Sequence, residues 1–240
     1  FDLTTGTHAV TFTGGIANDG ATFNTSTGAV SFATNSQAIS GAGTTIFGGT
    51  ITINTPIVVT NTGIVDSTSA LSGTGTFTNS TGGSLDIGGT SGITTLTATA
   101  TGNTVTYSSA GQTIKGTTYY DLVLNNGGGS AQAYSINAGV TVNGTLTIAA
   151  STEADLYSSG TLTMGDGSTM SGASTTTSVI QTQTGSSTLT IGGTGADTLN
   201  FDFTTVGTST PTVVYNATSA DQNVNGTTYY NLTISSSGVF

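Results

Sequence analysis

The 240-residue chain carries one basic residue, Lys115, against eleven acidic ones, for a formal charge of −10. That balance cannot neutralise a phosphate backbone or an anionic lipid surface, so neither nucleic acid nor membrane is expected as a partner. Hydrophobic residues are 34% of the chain and charged residues 5%, low beside the roughly 45–50% and 25% of an ordinary globular enzyme, while abundant β-branched residues argue against disorder.

No cysteine is present, so neither a disulfide framework nor a thiolate metal site is available. No apolar run of about 18 residues occurs, and no membrane insertion is expected in this segment. What remains is an extended β architecture rich in Thr, Gly, Ser and Asn.

Read from the start, Phe1-Asp2-Leu3 resembles two later segments, Tyr120-Asp121-Leu122 and Tyr230-Asn231-Leu232. The chain is therefore expected to begin inside a repeat and to be cut from a longer array, or to join end to end with further copies. A weak copy follows Phe32, with Gln37, Ile39 and Gly41 at matching spacings. Thr50-Ile51-Thr52-Ile53 reads as a short strand, and Leu85-Asp86-Ile87-Gly88-Gly89-Thr90 is echoed later by Leu189-Thr190-Ile191-Gly192-Gly193-Thr194.

The strongest signal is an ungapped match. Gln112-Thr-Ile-Lys-Gly-Thr-Thr-Tyr-Tyr-Asp-Leu122 recurs as Gln222-Asn-Val-Asn-Gly-Thr-Thr-Tyr-Tyr-Asn-Leu232, each copy following an aromatic, Tyr107 or Tyr215. Sustained two-residue alternation predicts strands with one face buried. The even positions Gln112, Ile114, Tyr120, Leu122 and Leu124, with Gln222, Val224, Tyr230, Leu232 and Ile234, are then the core, and the odd positions Lys115, Tyr119 and Tyr229 face outward. Thr145-Leu-Thr-Ile148, Thr161-Leu-Thr-Met164 and Thr188-Leu-Thr-Ile191 are further strands in which Thr alternates with an apolar residue. Glycine pairs at short intervals supply corners.

Two all-β architectures fit. One is a parallel β-helix, or β-solenoid, with short strands and Gly/Asn corners; the alternative is tandem β-sandwich domains. Nine Phe, eight Tyr, no Trp and unequal turn spacing favour the solenoid. At about 20–25 residues per coil it would have about 10–12 coils. With only Pro56 and Pro211 and no shift in composition, residues 1–240 read as one continuous solenoid of two long degenerate repeats, roughly 4–124 and 125–234.

The motif from Tyr107 and Gln112 to Leu122, followed by Gly-rich loops and Thr-Leu-Thr-Ile strands, resembles the repeats of large bacterial surface proteins of the filamentous-haemagglutinin-like and autotransporter-adhesin types. The resemblance covers the whole chain in style and the two copies in detail. It implies a β-solenoid stalk or fibre at the cell surface, with no catalytic residues.

Candidate sites are few. Gly192-Gly-Thr-Gly-Ala-Asp197-Thr-Leu-Asn200 fits a calcium-binding nonapeptide, but that motif shares its ion between consecutive copies and Gly88–Leu96 lacks the third Gly and the Asp. Asp197 is thus a weak metal candidate, a glycine corner is the simpler reading, and no cofactor is expected. Glu153 and Asp155 share a strand face and are the obvious carboxylate pair for glycoside hydrolysis; without an aromatic platform or basic group, a solvated turn after Ala149-Ala150 is the plainer account. His8 is the only imidazole, which excludes a multi-histidine metal site. Lys115 reads as an exposed lysine limiting edge pairing. Tyr119 and Tyr229 form a candidate contact surface for sugars or a neighbouring solenoid. Ice binding needs outward Thr-x-Thr pairs stacked in register, and the spacings of Thr145/Thr147, Thr161/Thr163 and Thr188/Thr190 do not suggest it.

The expectation is a non-enzymatic extracellular structural protein, a solenoid segment of a filament, fibre or adhesin stalk whose main partner is itself, head to tail. A glycan- or ice-binding surface module is the alternative, and a polysaccharide-degrading β-helix enzyme comes last.

Overall fold

A computed structural model describes residues 7–126, 132–173, 178–194, 200–202, 210–218 and 222–235. Among the described residues it is all-β, without a helix, and its parallel sheets stack as a β-solenoid of about nine turns. The sandwich alternative is set aside, because every strand pairing is parallel, whereas sandwiches are built on antiparallel pairs. The turn count falls below the expected ten to twelve.

The chain divides into two compact units, Phe1–Ser108 and Ser109–Phe240. The described strands of the first are β1 (Val10–Phe12), β2 (Ile16–Ala17), β3 (Thr22–Asn24), β4 (Val30–Phe32), β5 (Gln37–Ser40), β6 (Thr44–Phe47), β7 (Ile51–Ile53), β8 (Val58–Asn61), β9 (Ile64–Ser67), β10 (Leu71–Ser72), β11 (Thr76–Asn79), β12 (Ser84–Ile87), β13 (Thr95–Thr97) and β14 (Thr104–Tyr107). As far as β12 every third strand falls on the same face, and from there the step is two, β13 joining β11 and β14 joining β12. The three faces are β1-β4-β7-β10, β2-β5-β8-β11-β13 and β3-β6-β9-β12-β14.

In the second unit the described strands are β15 (Thr118–Tyr119), β16 (Asp121–Leu124), β17 (Gln132–Ile136), β18 (Gly139–Val142), β19 (Thr145–Ile148), β20 (Thr152–Ser158), β21 (Thr161–Met164), β22 (Thr169–Gly172), β23 (Ser178–Gly185), β24 (Thr188–Ile191), β25 (Asn200–Asp202), β26 (Thr212–Tyr215) and β27 (Asn231–Ile234). The faces here are β15-β18-β21-β24-β26-β27, β16-β19-β22 and β17-β20-β23-β25.

Stacking puts like on like. In-register neighbours Val140, Leu162, Leu189 and Val213 form one buried column, and Val142, Met164, Ile191 and Tyr215 another. Each large apolar side chain so covered contributes about 1.5–3 kcal/mol of burial, while the Thr residues between them face outward. In the first unit Phe12 stacks on Phe32 at 5.3 Å, and Phe47 meets Phe32 edge-on at 5.9 Å.

Coil length varies: the register advances from Val59 to Phe77 on one face and from Leu162 to Leu189 on another, 18 and 27 positions. Strands and corners share the difference, β10 having two residues and β23 eight. At Gly193 a Cβ would lie 1.9 Å from the carbonyl oxygen of Ser168 in the coil before it, so only glycine lets the two backbones approach.

A buried asparagine ladder closes one corner of the first unit. Asn61 Nδ2 donates to Asn79 Oδ1 at 2.8 Å and to the Ser84 carbonyl at 3.0 Å; Asn79 Nδ2 donates to the Gly83 and Thr104 carbonyls at 3.1 and 2.9 Å; Asn103 Nδ2 donates to the Asn79 carbonyl at 3.0 Å. All three side chains are fully buried. The side-chain amides thereby add donors at corner carbonyls, that of Gly83 accepting also from the Thr104 N–H at 3.0 Å, and tie successive coils together.

Candidate functional site

The repeated motif builds the same corner twice. Gln112 Oε1 accepts from the backbone N–H of Ser109, and Gln222 Oε1 from that of Ala217, both at 2.9 Å. Ser109 and Ala217 each lie two residues beyond the aromatic, so the unequal aromatic-to-Gln spacing is taken up between them and the glutamine. Gln222 Nε2 also donates to the carbonyls of Ile191 and Gly193 at 2.7 and 3.1 Å. Gln37 does the corresponding work in the first unit, donating to the Phe12 and Ala33 carbonyls at 2.8 and 3.0 Å. These glutamines are buried corner clamps.

The tyrosines correct the expected phase. Tyr119, expected outward, is fully buried, and its hydroxyl donates to the Lys115 carbonyl at 2.8 Å. Tyr120, expected in the core, is only half-buried. The reason is a corner: Tyr119 ends β15 and Asp121 begins β16 on a different face, so the two-residue phase is reset at Tyr120. Gln112, Ile114, Leu122 and Leu124 are buried as expected, and Lys115 is half-buried.

The second copy repeats the hydrogen bond and lacks the cover. Tyr229 is half-buried, its hydroxyl donating to the Asn225 carbonyl at 2.5 Å and lying 3.1 Å from the Tyr215 hydroxyl. Burial and that second phenol push its ionisation well above the ordinary tyrosine range. Tyr119 and Tyr229 are therefore corner-fixing residues and not the exposed contact surface expected of them. Val224 is half-buried, whereas Tyr230, Leu232 and Ile234, expected as core, are 56%, 41% and 48% exposed. Leu122 and Leu124 lie in register with Leu146 and Ile148 of the following coil; among the described residues β27 pairs on one side only, with β26. The second copy is also turned by one face, since β27 belongs to the sheet of β15 and not to that of β16.

Glu153 and Asp155 lie inside β20, not in a turn. Gln181 Nε2 bridges them, donating to Glu153 Oε2 at 3.0 Å and Asp155 Oδ1 at 2.7 Å. Asp155 is 1% exposed. Burial raises both carboxyl groups above their ordinary range, and Glu153 is raised further by the Asp155 charge. The pair is thus sequestered by an amide, with Asp202 the next residue in register after Gln181.

A second carboxylate pair escaped the sequence reading. Asp66 of β9 and Asp86 of β12 are in-register neighbours. Burial raises both, Asp66 also feels the Asp86 charge, and the Ser108 hydroxyl donates to Asp86 Oδ1. Their signal was the separation, 66 to 86, which is one coil. Asp197 lies outside the described residues, among which no group of three or more His, Cys, Asp or Glu is placed to hold a metal ion. His8 is exposed.

The threonine pairs stack better than their spacing suggested. Thr161 pairs with Thr188 and Thr188 with Thr212; Thr118 pairs with Thr141, Thr141 with Thr163 and Thr163 with Thr190. Two outward Thr columns therefore run side by side along one sheet. Thr145 and Thr147 stand on a different face, beside Thr169 and Ser171. Coils of unequal length still bring Thr161 and Thr188 into register, because pairing runs strand to strand whatever the length of chain between them.

No family model, curated protein or solved structure matches the chain.

Proposed function

We propose that this chain is an extracellular structural protein of bacterial-adhesin type, a β-solenoid segment of a self-assembling filament or stalk that associates with itself head to tail. The reading is carried by the duplicated corner. Gln112 with Tyr119, and Gln222 with Tyr229, make the same hydrogen bonds on two different faces of one unit, as a coil module reused along an array requires.

Leu232 and Ile234 take the place that Leu122 and Leu124 hold beneath the following coil, so this edge suits a further coil, from a second copy or a longer tandem chain. The sparse charge and single lysine suit an exposed extracellular fibre that presents one site to a trypsin-like protease.

Electron microscopy and fibre diffraction of the purified chain at neutral pH test this. Filaments with a reflection at about 4.7–4.9 Å along the fibre axis are expected, the spacing of strands stacked along that axis. A monomer at all concentrations in analytical ultracentrifugation, with no filaments, would overturn self-assembly.

A further inference from the structure

The sheet β15-β18-β21-β24-β26-β27 carries the longest outward threonine columns among the described strands; a shorter pair, Thr60-Thr78-Thr97 and Thr76-Thr95, stands on β8, β11 and β13 of the first unit. One column carries Thr161, Thr188 and Thr212, and the parallel column carries Thr118, Thr141, Thr163 and Thr190. The remaining outward positions of these strands are Gly139, Val214, Asn231 and Thr233, so the face bears no charge. The carboxylates of the described strands stand elsewhere, on β9, β12, β16, β20 and β25, and Asp166, in the corner after β21, accepts from the backbone N–H and hydroxyl of Thr218.

The pairings along this sheet run without a register shift, whereas β20 and β23 slip between Leu156 and Tyr157. Buried Val, Leu, Met, Ile and Tyr columns lie beneath and hold the strands level.

The hydroxyls of Thr141, Thr161, Thr163, Thr188, Thr190 and Thr212 make no hydrogen bond within the described residues. On the β1-β4-β7-β10 face of the first unit, by contrast, outward hydroxyls satisfy one another: Thr11 with Ser31 at 2.9 Å, and Thr52 with Ser72 at 3.4 Å. The hydroxyls of the threonine face are open to an outside partner, each with one donor and two acceptor sites.

Sheet geometry fixes where those hydroxyls stand. Successive rungs are about 4.8 Å apart and alternate residues on a strand about 6.6 Å apart. Threonine is stiff at χ1, so the array is ordered before anything binds and loses little rotamer entropy on binding. Methyl groups between the hydroxyls shed mobile solvent, and no charge holds a competing hydration shell.

We infer that this face binds crystalline water. A neutral lattice of oxygens, each donor and acceptor, is the partner whose chemistry repeats in two dimensions as this one does. A glycan crystal would instead call for aromatic platforms, and no aromatic side chain stands among the outward positions of these strands. The inference is independent of filament assembly, since it rests on one face of one unit.

Ice-affinity partitioning and thermal hysteresis of the full chain test it, beside Thr163→Lys, Thr190→Lys and, as a control on another face, Thr147→Lys. The unaltered chain is expected to enter growing ice and to depress freezing. Either threonine-face variant is expected to lose at least several-fold of that effect while its circular-dichroism melt stays unchanged, and Thr147→Lys to keep it. Exclusion of the unaltered chain from ice, undiminished activity in Thr163→Lys, or retention on cellulose or chitin in place of ice would each overturn the assignment.

Discussion

Tyr119 and Tyr229 stand 110 positions apart, and each donates its phenolic proton to the carbonyl oxygen four residues earlier, Lys115 at 2.8 Å and Asn225 at 2.5 Å. The ring of Tyr119 is fully buried, that of Tyr229 partly. The same covalent pattern thus folds the same corner under two degrees of cover.

Tyr119→Phe keeps the buried ring and leaves the Lys115 carbonyl without this donor. A loss of about 1–2 kcal/mol is expected, the cost of orphaning a buried acceptor. Tyr229→Phe should cost less, because water reaches that corner. Urea unfolding of both variants measures the difference.

Leu122 and Leu232 occupy the same motif position but are 0% and 41% exposed. Leu122→Asp buries an unpaired charge and should cost about 4 kcal/mol or more. Leu232→Asp should leave the fold of an isolated chain intact and weaken assembly instead. Thermal melts together with sedimentation separate the two effects.

Asn79 accepts from Asn61 and donates to two carbonyls while fully buried. Asn79→Ala should therefore destabilise by about 2–4 kcal/mol, more than one ordinary hydrogen bond, since several buried bonds are lost together and a cavity is left. The midpoint of denaturant unfolding reads this directly.

Asp66, Asp86, Glu153 and Asp155 all hold their protons to higher pH in the fold than an exposed carboxyl does, chiefly through burial. The native state therefore binds more protons than the unfolded chain between the unfolded and folded pKa values. Stability falls as pH rises through that window and stays lower above it. The urea midpoint should be higher near pH 4 than at pH 7, and Asp66→Asn, which removes the repulsion on Asp86, should raise it at pH 7 and shrink the difference. A midpoint that falls on acidification would show that these groups do not govern the pH response.

Within a strand the sequence was legible. Thr161-Leu-Thr-Met164 and Thr188-Leu-Thr-Ile191 alternate as expected, with Leu162, Met164, Leu189 and Ile191 buried. Across a corner it was not: the even-numbered phase read from Gln112 to Leu124 runs over more than one face, and Tyr120 breaks it. The carboxylate pair Asp66–Asp86 and the Thr161–Thr188 column were hidden for the same cause, since lateral neighbours depend on coil length and the coils differ.

The sequence by itself determined an all-β class, because two-residue alternation, β-branched residues and glycine corners call for short strands, and because a duplicated motif implies a reused unit; parallel pairing decided between solenoid and sandwich. Tertiary structure alone decided which side chains meet. Parallel stacking is set by how many residues each strand and corner takes up, and that count places Tyr119 inside and Tyr120 at the rim, turns the second copy by one face, and aligns the threonines into a lattice.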